Sequence, residues 1–329
     1  MSPGVLAGRA SRACAGKNCV RAIDLLECAV RAQPGNISLH YSLGLCYSGA
    51  CGFRHPLICS SLAAGYLRHA LALLGEDGGI VRATILDALA SALVRGEDAS
   101  RVAAAKAAIG CYRESARIYE ECARLDDWAR TIFNLGNTLC DLSEISGEDH
   151  WQDAVSCYEG SLRIRTRERD PERHAAVLEN LGSAYRRLSG NGAGHNIKKS
   201  IKCYQRALRI YGAATHPNKS AALQNNLGNS YLSLPETDEK TKARNGRRAL
   251  RHFDRALRIQ SRDKTSRDYG ITQFNRAQAY SRLMQTSAAG DPEVMVTCLE
   301  EALAAFQFCG DDRYERLVRA QLNRVCRQQ

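Results

Sequence analysis

Proline and aromatic residues are scarce in this sequence, and long apolar runs are missing. Only seven of the 329 residues are proline, and 6% are aromatic. Because proline breaks helices, its scarcity favours a helical protein. No stretch approaches the ~20 uncharged apolar residues that a membrane span needs. Residues 1–20 also lack the continuous apolar core of a secretory signal, so we expect a cytoplasmic protein without a membrane span.

Paired cysteines of the kind that hold zinc are also lacking. The chain has 14 cysteines but no CxxC, and the closest pairs are Cys14/Cys19 and Cys46/Cys51. Zinc sites usually bring two ligands closer together than this in sequence. Three other cysteines recur at one fixed interval, namely Cys111, Cys157 and Cys203. A residue that recurs with a structural period fills a packing position, so we expect structural thiols and no metal site.

No catalytic constellation is visible. The eight histidines are scattered, without HExxH or a nucleophile motif. The sequence therefore predicts no enzymatic activity and no cofactor.

An internal repeat dominates what is present. A leucine recurs every 46 residues, at Leu43, Leu89, Leu135, Leu181 and Leu227. Gly136, Gly182 and Gly228 follow three of these leucines, and a second apolar set later in each unit contains Tyr158, Tyr204 and Phe253. Glycine inside a helix costs about 1 kcal/mol relative to alanine, so its recurrence indicates a close approach of two helices.

Apolar residues at helical spacing predict two helices in each unit. We expect a starting helix at 19–32 and helix pairs at 36–48/59–74, 80–95/99–123, 126–142/150–166, 171–188/196–213, 217–233/241–262 and 265–285/291–308. The repeat leucines and second-helix aromatics should be buried, and no sheet should form.

The residue order Leu-Gly-x-x-Tyr, followed by Ala-x-x-x-Tyr/Phe-x-x-Ala, resembles the tetratricopeptide repeat over about residues 20–308. The interval of 46 is longer than the family's usual ~34 residues and resembles arrays found beside CHAT domains. It also falls in the HEAT/armadillo range, which is the alternative fold. The resemblance implies an all-α solenoid, a right-handed superhelix of antiparallel helix pairs.

The same resemblance gives the domain organisation. Residues 1–18 should be poorly ordered, residues 19–308 should form the repeat array, and residues 309–329 should form a capping helix. Arg313, Arg316 and Arg319 are available to face water on that helix.

The resemblance also implies a site, because first helices line the concave groove of tetratricopeptide proteins. Amide side chains flank the repeat leucine, and amides offer both donors and acceptors to a partner's backbone. The candidate groove residues are Asn134, Asn137, Asn180, Asn226, Asn229 and Asn275, with Arg130, Arg186, Arg187 and Arg282 beside them. In the alternative interpretation these amides bond neighbouring helices and fix their stacking.

Positive charge is concentrated in the last third of the chain. Between residues 240 and 282 there are 13 Lys/Arg and three Asp, against a net charge of +11 for the whole chain. On a helical wheel the arginines fall within about 100° of arc. The candidate basic patch contains Lys198, Lys202, Arg206, Arg244, Arg248, Arg251, Arg255, Arg258 and Arg262. Such a run is most often a solvated face.

These observations favour a non-enzymatic scaffold or adaptor that binds a partner peptide or helix in its groove. The alternative is an adaptor that binds an acidic partner or nucleic acid through the basic patch. Nucleic acid is the less favoured partner, because no aromatic side chains interleave with the arginines.

Overall fold

The computed structural model describes residues 5–6, 8–10, 13, 19–49, 56–96, 101–188, 193–260, 266–286 and 290–326. These residues contain no strand, and from Cys19 onward they form fourteen helices. The chain divides into two compact units, Met1–Ile164 and Arg165–Gln329.

The first unit holds seven helices between residues 19 and 164, each packed on the next. They are α1 (Cys19–Ala32), α2 (Ile37–Gly49), α3 (Pro56–Leu74), α4 (Gly79–Arg95), α5 (Arg101–Glu121), α6 (Leu125–Ser146) and α7 (Trp151–Ile164). Short connections join the members of the pairs α2/α3, α4/α5 and α6/α7, which makes each pair antiparallel.

The second unit repeats this arrangement. Its helices are α8 (Pro171–Arg187), α9 (Ala193–Leu208), α10 (Pro217–Leu232), α11 (Glu239–Gln260), α12 (Arg267–Met284), α13 (Pro292–Cys309) and α14 (Asp312–Cys326). Besides packing pairwise, the first helices α8, α10 and α12 contact one another in succession. They therefore form one layer of the unit.

Local chemistry explains several helix starts. Pro171, Pro217 and Pro292 stand in the first turns of α8, α10 and α13, where proline's missing N–H costs nothing. The side chain of Asp170 accepts a hydrogen bond from Arg173 N and so caps α8. Asp291 caps α13 in the same way.

Most helix bounds lie within three residues of the predicted ones, and two helix ends differ by four or five residues. Helix α9 ends at Leu208 rather than near 213, because the N–H groups of Arg209 and Ile210 bond three residues back and tighten the last turn. Helix α6 continues four residues past 142 and ends where Gly147 takes a φ of 75°. A left-handed conformation there suits glycine and closes the helix.

The repeat positions form the core as predicted. Leu135, Leu181 and Leu227 are buried, and Tyr158, Tyr204 and Phe253 are almost fully enclosed. A Cβ added to Gly136 would lie 2.8 Å from Tyr158 Cε1, and one added to Gly182 would lie 2.8 Å from Tyr204 Cε1. Gly228 meets Phe253 in the same manner. The recurring glycine therefore admits the aromatic ring of the second helix, as the close-approach argument predicts.

The recurring cysteines occupy packing positions. Cys203 is buried, and Cys111 and Cys157 are half-buried. Burial raises the pKa of the Cys157 thiol to about 11, which keeps it protonated and unreactive at neutral pH. No disulfide joins the ten cysteines that the structure describes with their side chains.

The two ends of the predicted array lie partly outside the described residues. Of residues 1–18, six are described; all are helical, and Leu6 and Ala10 are buried. Poor order of this segment stays a prediction. At the other end, Val318 of α14 is fully buried against the last helix pair, while Arg313, Arg316 and Arg319 are exposed.

Candidate functional site

A polar side chain follows the repeat leucine by two positions and bonds the aromatic residue of the second helix. The oxygen–oxygen distances are 3.0 Å for Ser91–Tyr112, 2.7 Å for Tyr158–Asn137 and 2.9 Å for Ser183–Tyr204. Burial raises the pKa of all three tyrosines, so each hydroxyl keeps its proton and can donate. Asn137, a predicted groove residue, is thus engaged inside its own helix pair.

The next unit breaks this pattern at Phe253. A phenylalanine has no hydroxyl, so Asn229, which stands at the same position as Asn137 and Ser183, has no tyrosine to bond. Its side chain instead lines a cavity. One substitution in the repeat therefore turns a structural amide into one that is available to a ligand.

The cavity has a volume of about 680 Å³ and is bordered by the first helices α8, α10 and α12, with α11, α14 and the α10–α11 connection. Four predicted groove residues line it, namely Arg186, Asn229, Asn275 and Arg282. Leu232 is the only apolar side chain among its lining residues. The cavity is therefore a polar site on the first-helix layer of the second unit.

Charges in the cavity are partly paired. Arg282 Nε lies 2.5 Å from Glu236 Oε1, and Lys242 Nζ donates to Gln285 Oε1 at 3.0 Å. By contrast, Arg186 Nε is buried with no hydrogen-bond acceptor among the described residues. The Arg186 guanidinium also hydrogen-bonds the buried Tyr204 hydroxyl, so its own helix pair holds this side chain at the edge of the cavity.

Two other predicted groove residues are engaged in internal bonds. Asn275 Nδ2 donates to Asn225 Oδ1 at 3.0 Å and so links α12 to α10. Arg130 forms ion pairs with Asp127 at 3.0 Å and Asp87 at 3.4 Å. The stacking interpretation therefore applies to Asn137 and to one N–H of Asn275. Arg130 forms its ion pairs within the first unit.

The remaining groove candidates are placed but not brought together. Asn134, Asn180 and Asn226 are each half-buried on a first helix, and Arg187 is exposed at the end of α8. Asn134 belongs to the first unit and the others to the second. That the three asparagines share one surface stays a prediction.

Sequence reasoning missed part of the cavity. Glu236 and Ser233 lie in the connection after α10, Lys242 lies on a second helix, and Gln285 follows α12. None of these positions belongs to the repeated pattern. The signal that was available is Phe253 in place of tyrosine, which marks Asn229 as different from its equivalents.

The basic patch faces solvent where the structure describes it. Lys198, Lys202 and Arg206 are exposed on α9, and Arg244, Arg248, Arg251, Arg255 and Arg258 are exposed on α11. Ala249, Phe253 and Ala256 are buried on the opposite side of α11. Arg262 lies outside the described residues. Both helices pack against α10.

The described ranges contain neither a candidate metal site nor a candidate membrane span. No cluster of three or more His, Cys, Asp or Glu side chains there is arranged to hold a metal ion. None of the described helices combines the length and apolar character needed to cross a bilayer.

Comparisons with known proteins identify the fold. No family model matches the sequence, and no curated protein matches it. Among solved structures, the chain is similar to the C-terminal part of a TPR repeat-containing protein from Cytophaga hutchinsonii, with a TM-score of 0.58, 12% identity and coverage of 90% of this chain and 94% of that one. It is also similar to a tetratricopeptide repeat protein from Parabacteroides merdae, with a TM-score of 0.56, 12% identity and coverage of 98% of both chains.

These neighbours agree with the repeat pattern and not with the HEAT/armadillo alternative. The likeness to CHAT-associated arrays is a finer statement that they do not address, and it stays a prediction. The chain has the tetratricopeptide repeat fold, an all-α solenoid of antiparallel helix pairs.

Proposed function

We propose that this protein is a non-enzymatic interaction scaffold, and that the cavity of the second unit holds an extended segment of a partner protein. The observation that carries the proposal is the position of Asn229. This amide has no tyrosine hydroxyl to bond, and its side chain lines a polar cavity. Asn275 and Gln278 line the same cavity from α12. A cytoplasmic location remains a prediction.

The lining suits a peptide backbone. Each carboxamide offers a carbonyl acceptor and two N–H donors, which match the C=O and N–H groups of an extended chain without requiring particular side chains. Asn275 uses one N–H on Asn225 and keeps its carbonyl oxygen and second N–H. The cavity volume of about 680 Å³ falls in the range of ~300–1,000 Å³ typical of ligand pockets.

The charges favour an acceptor-rich segment. The ion pair between Arg282 and Glu236 is internally balanced, whereas Arg186 and Lys242 add positive charge. A carboxylate of the partner segment would meet Arg186, because a charge-assisted hydrogen bond is stronger than a neutral one.

The test starts from peptides selected on the intact protein out of a random phage-displayed library. Their affinity is then measured by fluorescence anisotropy on the parent and on the triple variant Asn229→Ala, Asn275→Ala, Gln278→Ala. We expect the variant to lose about 10- to 100-fold in affinity, since each hydrogen bond contributes roughly 1 kcal/mol. The matched control replaces three exposed amides outside the cavity, Gln152→Ala, Gln205→Ala and Asn323→Ala, and should bind like the parent.

A second variant, Phe253→Tyr, tests the role of Asn229 alone. The added hydroxyl should bond Asn229 as Tyr158 bonds Asn137, so peptide affinity should fall while the melting temperature is kept. Selected peptides that bind the triple variant and the control equally well would place the site elsewhere and refute the proposal.

A further inference from the structure

The surface built from α9, α10 and α11 is almost devoid of acidic residues. Residues 193–260 contain 14 Lys/Arg and four Asp/Glu, a net charge of +10 out of +11 for the chain. Helices α9 and α10 contain no acidic residue. Nearly all the excess charge of the protein therefore lies on three adjacent helices.

Three of the four carboxylates of this segment have partners that the structure identifies. Glu236 pairs with Arg282, and Asp254 Oδ1 lies 2.9 Å from Arg276 Nε of α12. Asp238 accepts a hydrogen bond from Thr241 N and others from nearby threonine hydroxyls, before α11 begins. Asp238 also interacts electrostatically with Arg244, but none of these three carboxylates forms an ion pair with Arg247, Arg248, Arg251 or Arg255.

Six exposed arginines of α11 form what we name the arginine ridge: Arg244, Arg247, Arg248, Arg251, Arg255 and Arg258. Fourteen residue steps separate its ends, which is about 21 Å of helix. Four of its members, Arg244, Arg247, Arg251 and Arg255, form no ion pair with any described residue. Like charges spaced three or four residues apart destabilise a helix by a few tenths of a kcal/mol each, so the ridge opposes folding.

The ridge has no apolar anchor. Among the described residues the exposed large apolar side chains, such as Leu125, Phe308 and Leu317, lie outside α9 and α11. Protein interfaces draw most of their affinity from a few well-packed anchors, chiefly Trp, Tyr and Arg, and α9 and α11 expose neither Trp nor Tyr beside their basic residues. Contacts to phosphates need only Lys and Arg, so the ridge suits a nucleic-acid backbone better than an acidic protein.

The nearest aromatic ring is unavailable to a base. Tyr231 stacks on His252, with ring centroids 5.3 Å apart, and the guanidinium of Arg248 lies 5.6 Å from its centroid. Proteins that hold single strands expose aromatic platforms on which bases stack. Their lack beside the ridge favours a duplex, whose bases are already stacked.

We propose that the arginine ridge docks the phosphate backbone of double-stranded DNA, without reading its sequence. One strand of B-form DNA carries a phosphate every ~3.4 Å of axis, so a 21 Å ridge faces about six phosphates with six arginines. Lys198, Lys202 and Arg206 are also exposed, on α9, which packs against α10 as α11 does. The arginine ridge is distinct from the peptide cavity, and DNA binding by the ridge does not depend on peptide binding in the cavity.

The experiment measures binding of a fluorescent 24-base-pair DNA duplex to the full chain by anisotropy, between about 50 and 200 mM salt. Six phosphate contacts predict a slope of log affinity against log salt near −5. The variant Arg248→Gln, Arg251→Gln, Arg255→Gln removes three contacts. It should lower affinity at least about tenfold and make the slope shallower by about 3.

The matched control is Arg313→Gln, Arg316→Gln, Arg319→Gln, which removes the same charge from exposed positions of α14. It should bind duplex DNA like the parent, and both variants should keep the parent's circular dichroism. The proposal fails if neither parent nor control binds the duplex, or if both triple variants lose affinity equally. It also fails if single-stranded DNA of the same sequence binds more tightly. Capture of poly-glutamate without capture of DNA would identify an acidic protein as the occupant instead.

Discussion

At the scale of single residues, the contact between Gly182 and Tyr204 sets how closely α8 and α9 approach. Gly182→Ala would place a Cβ 2.8 Å from a fully buried ring. We expect the free energy of unfolding, measured by urea denaturation, to fall by about 1–3 kcal/mol, because an overpacked crossing must open. The free energy of unfolding should fall further for Gly182→Leu.

A matched glycine tests the same substitution without the crossing. Gly110 lies inside α5, and a Cβ added there would meet nothing within 4 Å. Gly110→Ala should therefore stabilise the protein by up to about 1 kcal/mol through helix propensity. If Gly182→Ala and Gly110→Ala changed the free energy of unfolding in the same direction, Gly182 would not be needed for the close approach of α8 and α9.

His252 supplies a residue-scale prediction about pH. Burial, followed by Arg255 and Arg251, lowers the pKa of His252 to about 4, and its Nδ1 lies 2.7 Å from Gln224 Oε1. In the unfolded chain the pKa of histidine is near 6.5, so the unfolded state binds more protons between pH 6.5 and 4. This contribution to stability is present above pH 6.5 and is lost as the pH falls towards 4.

Urea denaturation at pH 7 and pH 5 measures this contribution. From pH 7 to pH 5, the free energy of unfolding of the parent should fall by roughly 1 kcal/mol more than that of His252→Gln. This figure allows for solvent screening of a half-buried ring. An NMR titration of His252 checks the pKa directly. Equal pH dependence in parent and variant would show that the ring titrates normally.

At the scale of elements, α14 covers the end of the second unit with an apolar face. Val318 is fully buried against Leu299 and Phe306, whereas its neighbour Leu317 is 47% exposed. Val318→Asp should lower the free energy of unfolding by about 3 kcal/mol or more, because it buries an unpaired carboxylate. Leu317→Asp should change it by no more than about 0.5 kcal/mol.

Hydrogen exchange shows where the Val318→Asp damage lies. In a stack whose helices contact mainly their neighbours, faster exchange should appear in α12 and α13 before α8. Equal losses for the two aspartate variants would mean that α14 does not cover the last helix pair.

At the scale of the whole molecule, the repeat made the fold predictable. Leu181, Gly182 and Tyr204 lie at the contact between the two helices of one pair. Equivalent residues recur at the same positions in neighbouring units, and this recurrence predicts where each helix pair lies. Boundaries without such agreement shifted, as at the end of α9. There the backbone hydrogen bonds of Arg209 and Ile210 end the helix at Leu208. The spacing of apolar residues does not indicate this change in backbone bonding.

The site was predictable only in part. The asparagine pattern identified Asn229 and Asn275 as cavity residues, but it treated Asn137 as their equivalent. The difference depends on a hydroxyl 2.7 Å from Asn137 Oδ1, which belongs to a tyrosine 21 residues away. Glu236 and Lys242 entered the cavity from positions that no repeat constrains, so tertiary packing alone placed them there.

The fixed interval between equivalent positions has a consequence for how such a chain can grow. Residues 171–216 form one complete helix pair and end directly before Pro217, which begins the next. A tandem duplication of the gene segment encoding these 46 residues would insert a pair with the same glycine, serine and tyrosine as the pair that was copied, and its glycine would also match Gly136 and Gly228 of the pairs on either side. The lengthened chain would keep its neighbouring contacts, so the array can gain binding surface by copying without redesigning its core.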